Sequence, residues 1–436
     1  MALIGMLGFF LSMFIIIQGS LRGYSIIILS VIATFVVAVT NRMNVMGAFF
    51  TGESSYIFGV ASFFVDYFII FLLSSILAQY IENSGAAKSI ADYILEKTGK
   101  DRPYIVLISI FLISAVLTLG GVNLFVALFV IIPLARNIFK ELNLSWKLIV
   151  TPYFLGSSFF TMTVIPGSPS IQNVIMSNAL GTTLTTVPLY SLVLAAFMIG
   201  WALWRMRVEL NRSIKNDEIF EDRFDKEDEI DYGNLPPFGV SIAPLATLFL
   251  AIIAGSFLSI DSIIIYALVI SVILATLLFH RYLDGHQNSL NNGAANSITS
   301  VMSPAVAVGF GTVITTAPAF ENIMTFIQSL PLTPIMSLVL LTAILQLVMG
   351  SASGVLGIIS ERFIPLYDLS SYNPGFVHRM VLMTPAFMPP QVGVLLTFYN
   401  VTGLKHEESY RDVMVSLNLG VALSLVLGYF LGLLFF

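Results

Sequence analysis

Cysteine is absent from this 436-residue chain, which excludes disulfides, thiolate metal sites and thiol nucleophiles. Charge is scarce. Asp, Glu, Lys and Arg make up 10% of the residues, against about 25% in a soluble protein, so the chain cannot cover a globule with polar surface. There are only 4 histidines, and no two stand at the i, i+4 spacing of a helical metal site. No G-x-x-x-x-G-K-[ST] run is present, which argues against an ATP-driven pump. No nucleophile-and-base pair or pair of deep acids stands out, which argues against an intramembrane hydrolase. We therefore expect no enzyme, no resident cofactor or metal, and no nucleic-acid partner.

Apolar length is abundant. The chain is 57% hydrophobic and its mean hydropathy is +0.91, so the bilayer is its natural solvent. "MALIGMLGFFLSMFIIIQGS" lacks a basic n-region and reads as a retained helix rather than a cleaved signal. A crossing needs about 20 apolar residues. Candidates lie at 2–20, 23–41, 58–80, 103–119, 121–138, 147–180, 187–206, 238–256, 261–279, 298–327, 333–349, 351–366, 376–402 and 412–436. The charged run over 207–237, ending in Pro236-Pro237, is the one clear linker.

The halves on either side of it look alike. Ser114–Leu119 resembles Thr342–Leu347, Ile132-Pro133-Leu134 resembles Ile364-Pro365-Leu366, Thr151-Pro152 resembles Thr384-Pro385, and Asn178–Gly181 resembles Asn400–Gly403. Four matches in one order indicate an internal repeat. Suppose 103–138 and 333–366 are helical hairpins that enter and leave on one side, and 147–180 and 376–402 are crossings broken in the middle. Each half then has five crossings, an odd number, so the halves are inverted. All but Arg42, Arg362 and Arg379 of the 20 Lys and Arg then fall on one side, which the positive-inside rule makes cytoplasmic. The expected fold is an all-α polytopic membrane protein of two inverted repeats, 1–206 and 238–436. Each repeat has five crossings plus a re-entrant hairpin and a broken helix. Both termini lie outside and the linker 207–237 is cytoplasmic.

"TVIPGSPSIQNV", residues 163–174, gathers prolines and neutral polar groups inside an apolar tract. Broken backbone at membrane depth is tolerated only inside protein or beside a cavity. The counterpart is "TPAFMPPQVGV", 384–394, and the hairpins turn at "LGGVN", 119–123, and "GSASG", 350–354. Such elements present half-helix N-termini to an anion, and free carbonyls and hydroxyls to a cation. The candidate substrate- and ion-binding residues are Gly120, Gly121, Asn123, Pro166, Gly167, Ser168, Ser170, Gly350, Ser351, Ser353 and Gln391. Ser168, Ser351 and Ser353 suit a hard cation such as sodium. Asp66, about 12 Å inside its helix at 1.5 Å per residue, is the candidate proton carrier. Glu361 and Arg362 are expected to close a helix end. Arg379 is expected to snorkel to the interface rather than bind a carboxylate. His280, His286 and His406 are expected to be bystanders in cytoplasmic loops.

Several stretches carry a family likeness. "ENSGAAKSIADYILEKTGK" (82–100), "GSASGVLGI" (350–358), "VTGLKHEESYRDVMV" (401–415) and the Pro-rich "VIPGSPSIQNVI" resemble, in order and spacing, the gluconate permease family of proton symporters for small organic acids. The likeness runs from about residue 20 to the end. It implies a transporter in a prokaryotic cytoplasmic membrane that couples a small organic anion to an ion, H+ or, alternatively, Na+, and that can pair as a homodimer within the lipid. Family members carry a His in the first Pro-rich motif, where this chain has Pro166-Gly167-Ser168-Pro169. They carry Asn-Asp in the second, where it has Met388-Pro389-Pro390-Gln391. The less polar motifs point to a smaller or more apolar acid, such as a short hydroxy- or keto-monocarboxylate.

Overall fold

A computed structural model describes residues 2–98, 102–119, 124–221, 234–258, 260, 262–283, 285–390 and 392–436. The described residues are helical and contain no strand. Seven of their helices are long and apolar enough to cross a membrane.

The N-terminal half opens with α1 (Ala2–Leu21) and α2 (Ile26–Thr40), a short α3 (Val45–Phe50), and the long α4 (Tyr56–Asn83). Then come α5 (Ala86–Thr98), α6 (Pro103–Leu119) and α7 (Leu124–Glu141). Next, α8 (Val150–Phe154) runs into a π-turn over Leu155–Phe159, followed by α9 (Ile171–Leu180) and α10 (Pro188–Lys215). The C-terminal half has α11 (Phe238–Phe257), α12 (Ile263–Phe279), α13 (His286–Ile314), α14 (Pro318–Ser329), α15 (Pro334–Met349) and α16 (Ala352–Ile358). After α16 follow a second π-turn at Ile359–Phe363, α17 (Pro374–Met383), α18 (Gly393–Thr402), α19 (His406–Asp412), a third π-turn at Val413–Asn418, and α20 (Leu419–Phe435).

Local chemistry sets many of these ends. Ser55 caps α4 by accepting from Phe58 N, and Thr333 caps α15 by accepting from Met336 N, with Pro334 in the first turn. Asn373 accepts from both Gly375 N and Phe376 N ahead of Pro374. Each cap satisfies amides that the helix itself cannot.

The span expected over 298–327 is two helices. α13 begins at His286, and Pro318 opens α14 after an extended Ala317 (φ −71°, ψ 140°). A residue before proline is driven out of the helical region. The polar start of α13 hid it from a search for apolar runs. Ser289, Gly293, Ser297 and Val301, four residues apart, are all buried. They form a small-residue stripe that lets two backbones approach. α13 packs antiparallel on α4. Gly309 lies so near Tyr56 that a Cβ there would be 2.8 Å from its carbonyl oxygen, and Gly293 abuts Ile76 at the other end. Asn83 donates to Ser289 Oγ at 3.0 Å.

Of the four sequence matches, Asn178–Gly181 and Asn400–Gly403 each end a helix on a left-handed glycine, φ +60° and +66°. Thr151-Pro152 and Thr384-Pro385 do not correspond. The first pair starts α8, whereas the second lies in the tight turn that ends α17.

Candidate functional site

The helical ladder stops after Phe159 and resumes at Ile171, with Gly167 left-handed at φ +80°. A second interruption separates the turn at Thr384–Ala386 from α18. Both expected breaks are therefore present in the backbone. α16 packs on α9 and on the 384–386 turn, while α7 packs on α18. α6 and α15 each tie to a break. Thr118 Oγ1 donates to Thr161 Oγ1 at 3.2 Å, and Gln346 Nε2 donates to Phe387 O at 2.9 Å.

Within the first break, Ser168 is buried and its hydroxyl has no partner among the described residues. Ser170 is committed. It accepts from Asn173 N as the cap of α9 and donates to Met162 O at 3.0 Å. Pro166 is half-buried, and Gly167 N donates to Leu184 O at 3.0 Å, which folds the 182–187 loop back onto the break. Gly350 ends α15 in the left-handed region, Ser351 caps α16 by accepting from Gly354 N, and Ser353 is half-buried. Gly120, Gly121, Asn123 and Gln391 lie outside the described residues. Asp66 is on the exposed side of α4. Glu361 sits in the π-turn after α16, and Arg362 donates to Glu53 O at 3.1 Å.

The largest correction concerns Arg379, which does not snorkel. It is 0% exposed. Its guanidinium donates to Thr163 O (3.2 Å), Asn173 Oδ1 (3.1 Å), Leu184 O (3.0 Å) and Thr186 O (3.3 Å). Asn173 Nδ2 donates to Ser168 O at 2.8 Å and to Leu184 O at 3.2 Å. His378 Nε2 stands 2.9 Å from Asn173 Oδ1, and its Nδ1 stands 2.7 Å from Thr182 Oγ1. Because Arg379 only donates, Asn173 Oδ1 must be an acceptor, so Nε2 carries the His378 proton. α17 thereby knits the first break from outside its own segment. Sequence reasoning passed over Asn173 and His378. Asn173 lay inside the quoted Pro-rich run, and its amide was the available signal.

The second break is held by neutral groups. Asn418 accepts from Met388 N at 2.8 Å and donates to Met388 O at 3.2 Å, and Tyr410 OH donates to the same carbonyl at 3.2 Å. Asn418 ends the third π-turn, where Ser416 donates to the buried Glu209. Glu209 also accepts from Thr151 Oγ1 and pairs with Arg205 at 3.0 Å. His280 and His286 are joined to each other at 2.9 Å, and His286 contacts Tyr80 OH at 3.2 Å, so they brace α4 against α13 rather than standing idle.

A polytopic helical bundle with two interrupted helices, one tied to α6 and the other to α15, has the build of a membrane transporter. The model of the GntP family permeases matches residues 1–365, and the chain belongs to that family. It is 28% identical over 437 residues to "Uncharacterized transporter YxjC" of Bacillus subtilis (strain 168), covering 90% of this chain and 91% of that one. Its fold is similar to that of the Alcanivorax borkumensis YdaH transporter, described as having an unusual topology (TM-score 0.53, 16% identity, 86% of this chain and 87% of that one). The chain is thus an integral membrane protein and a transporter of the GntP permease type.

Proposed function

We propose that this permease is a secondary active transporter that moves a small organic anion, a hydroxy- or sugar-derived carboxylate, together with an ion. The observation that carries the reading is the first break. A buried hydroxyl without a partner among the described residues, Ser168, sits on a segment whose Thr163 carbonyl is held, with Leu184 O of the neighbouring loop, by a fully buried arginine. An anion is the ligand such a neighbourhood favours, since a buried cation is stabilised by a charge of opposite sign. Ser351 and Ser353 at the turn before and within α16 would face the same solute from the second half, joined by Gln391 and by the 120–123 turn.

The same order of elements in 1–206 and 238–436 supports inverted repeats, each with five crossings, a re-entrant hairpin and a broken helix. The antiparallel pairing of α4 with α13 fits that relation. Both termini would lie outside a prokaryotic cytoplasmic membrane and the linker 207–237 inside, because that arrangement gathers the basic residues on one face. Asp66 is the candidate proton group.

Uptake in proteoliposomes tests the reading. Labelled gluconate, lactate, 3-hydroxybutyrate, glycerate and citrate are offered under a proton gradient and, separately, a sodium gradient. We expect accumulation of a monocarboxylate driven by protons. Accumulation driven by sodium alone selects the sodium-coupled alternative, and equilibration without accumulation selects a facilitator and ends the symporter reading.

A further inference from the structure

Break segments of this kind offer bare carbonyls, and a hard cation prefers such oxygens. Around the first break several of those oxygens are already occupied. Thr163 O, Leu184 O and Thr186 O accept from Arg379, Ser168 O and again Leu184 O accept from Asn173, and Met162 O accepts from Ser170. The guanidinium thus has four oxygen ligands from three separate stretches of chain, as a metal ion would.

Its charge is not cancelled. Every partner of Arg379 is a carbonyl or amide oxygen, and among the described residues no carboxylate is paired with it. By contrast Arg205, the other buried arginine among the described residues, forms a salt bridge with Glu209. His378 and the Tyr190 phenol are the remaining titratable groups that face Arg379. Tyr190 donates to Gly428 O at 2.9 Å, so it supplies no negative charge. Two polar atoms of the neighbourhood remain without partners, Arg379 Nε and Ser168 Oγ. They are linked through Asn173, which receives Arg379 and donates to the Ser168 carbonyl.

We propose that Arg379 is a built-in cation of the first break, filling the carbonyl cage that a coupling sodium ion would otherwise occupy and biasing the Ser168 segment toward anionic solutes. It acts as a positioning and selectivity residue through Asn173, not as a direct ligand. The inference rests on the transporter reading above and sharpens it. Transport through this break needs no sodium there, and the anion's affinity depends on a permanent positive charge.

The test uses the full-length chain in proteoliposomes, with sodium replaced on both sides by N-methylglucamine. If no anion is taken up under any gradient, the transporter reading fails. If uptake occurs, the proposal stands or falls on ion dependence. Wild type should keep its KM within about twofold without sodium. Arg379→Lys, which keeps the charge but loses the planar fork, should raise KM more than kcat falls and should stay sodium-independent. Arg379→Ala should lose at least tenfold in uptake, and millimolar guanidinium or sodium should restore part of it by entering the vacated cage. A sodium requirement in wild type, Arg379→Ala with wild-type KM in sodium-free buffer, or a monodisperse Arg379→Ala that neither cation rescues would each overturn it. Should Arg379→Ala fail to fold, the wild-type and Arg379→Lys measurements decide alone.

Discussion

Glu209 offers the sharpest test of the energetic reasoning. It is 2% exposed, and its partner Arg205 is 7% exposed. The carboxylate receives Arg205 at 3.0 Å and the hydroxyls of Thr151 and Ser416, while Arg205 Nε reaches Ser416 Oγ at 3.1 Å. Glu209→Leu strands the guanidinium in an apolar setting, a loss of about 3–5 kcal/mol for a broken buried pair. Two hydroxyls also lose their acceptor, at about 1 kcal/mol each. Arg212 and Asp412, paired at 2.8 Å nearby, are neutral together and do not rescue Arg205. The single variant should therefore lower the thermal midpoint sharply, read by fluorescence-detected size-exclusion after heating. The double variant Arg205→Met with Glu209→Leu removes both charges and should recover to within about 1–2 kcal/mol of wild type, because apolar replacements of a buried pair are often neutral. The reasoning is refuted if Glu209→Leu alone is as stable as wild type, or if the double variant is worse than the single one.

Three further outcomes follow from the same structure. Gly309→Val should separate α4 from α13, since even a Cβ would lie 2.8 Å from Tyr56 O. We expect about 1–3 kcal/mol of destabilisation for such overpacking, checked by the same heating assay. Asn418→Ala should leave Met388 N without its partner, costing about 1–3 kcal/mol and lowering kcat for uptake more than it raises KM. Glu218, just after α10, titrates outside the membrane. Burial pushes its carboxyl up, but hydrogen bonds with Ser213, Ser145 and Asn216 and the Lys147 charge outweigh that and hold it below its usual value. Because the folded value is the lower one, its stabilising effect is present above the unfolded carboxylate range and is lost as pH falls through the folded value. Pepsin, which works in acid, should then cut the start of the linker near Phe220 faster as pH falls through that range, and Glu218→Gln should be cut at the fast rate throughout.

The long apolar helices and the breaks were legible because their signals are local. Apolar length marks α1, α4, α10, α11 and α12, and proline clusters mark both interruptions. The start of α13 was not legible, because His286–Ser297 reads as a polar loop until α4 is laid against its small-residue stripe. The candidate site divided the same way. Ser168 was named from its motif, and its hydroxyl is buried. Ser170 was in the same motif but is spent on capping α9 and on Met162 O. No single segment reveals which hydroxyl is spent on the backbone. Arg379 was misplaced for the opposite reason. Its position near a helix start suggested the interface, but its acceptors come from 163–186, far away in sequence and close in space.

That distance bears on how the halves divide their work. The first break is held by charge. Arg379 and His378, from the second half, grip oxygens of the first. The second break is held by neutral amide and phenol groups, Asn418, Gln346 and Tyr410, all from its own half. If the halves descend from one repeat, their sites are therefore no longer equivalent. Charge-assisted bonds from a guanidinium are about twice as strong as neutral ones, and opening them would strand a desolvated charge, whereas a neutral amide pair loses about 1 kcal/mol and re-forms with water. We expect that the second break shifts during transport while the first stays as a fixed wall. Paired substitutions should show it. Asn418→Ala should change the turnover rate while leaving anion selectivity intact, whereas Asn173→Ala, which cuts the link between Arg379 and Ser168, should relax selectivity among carboxylates. Uptake competition with a panel of acids separates the two. Equal loss of selectivity in both variants would mean that the breaks act as one unit, and the division of labour argued from their holding groups would be wrong.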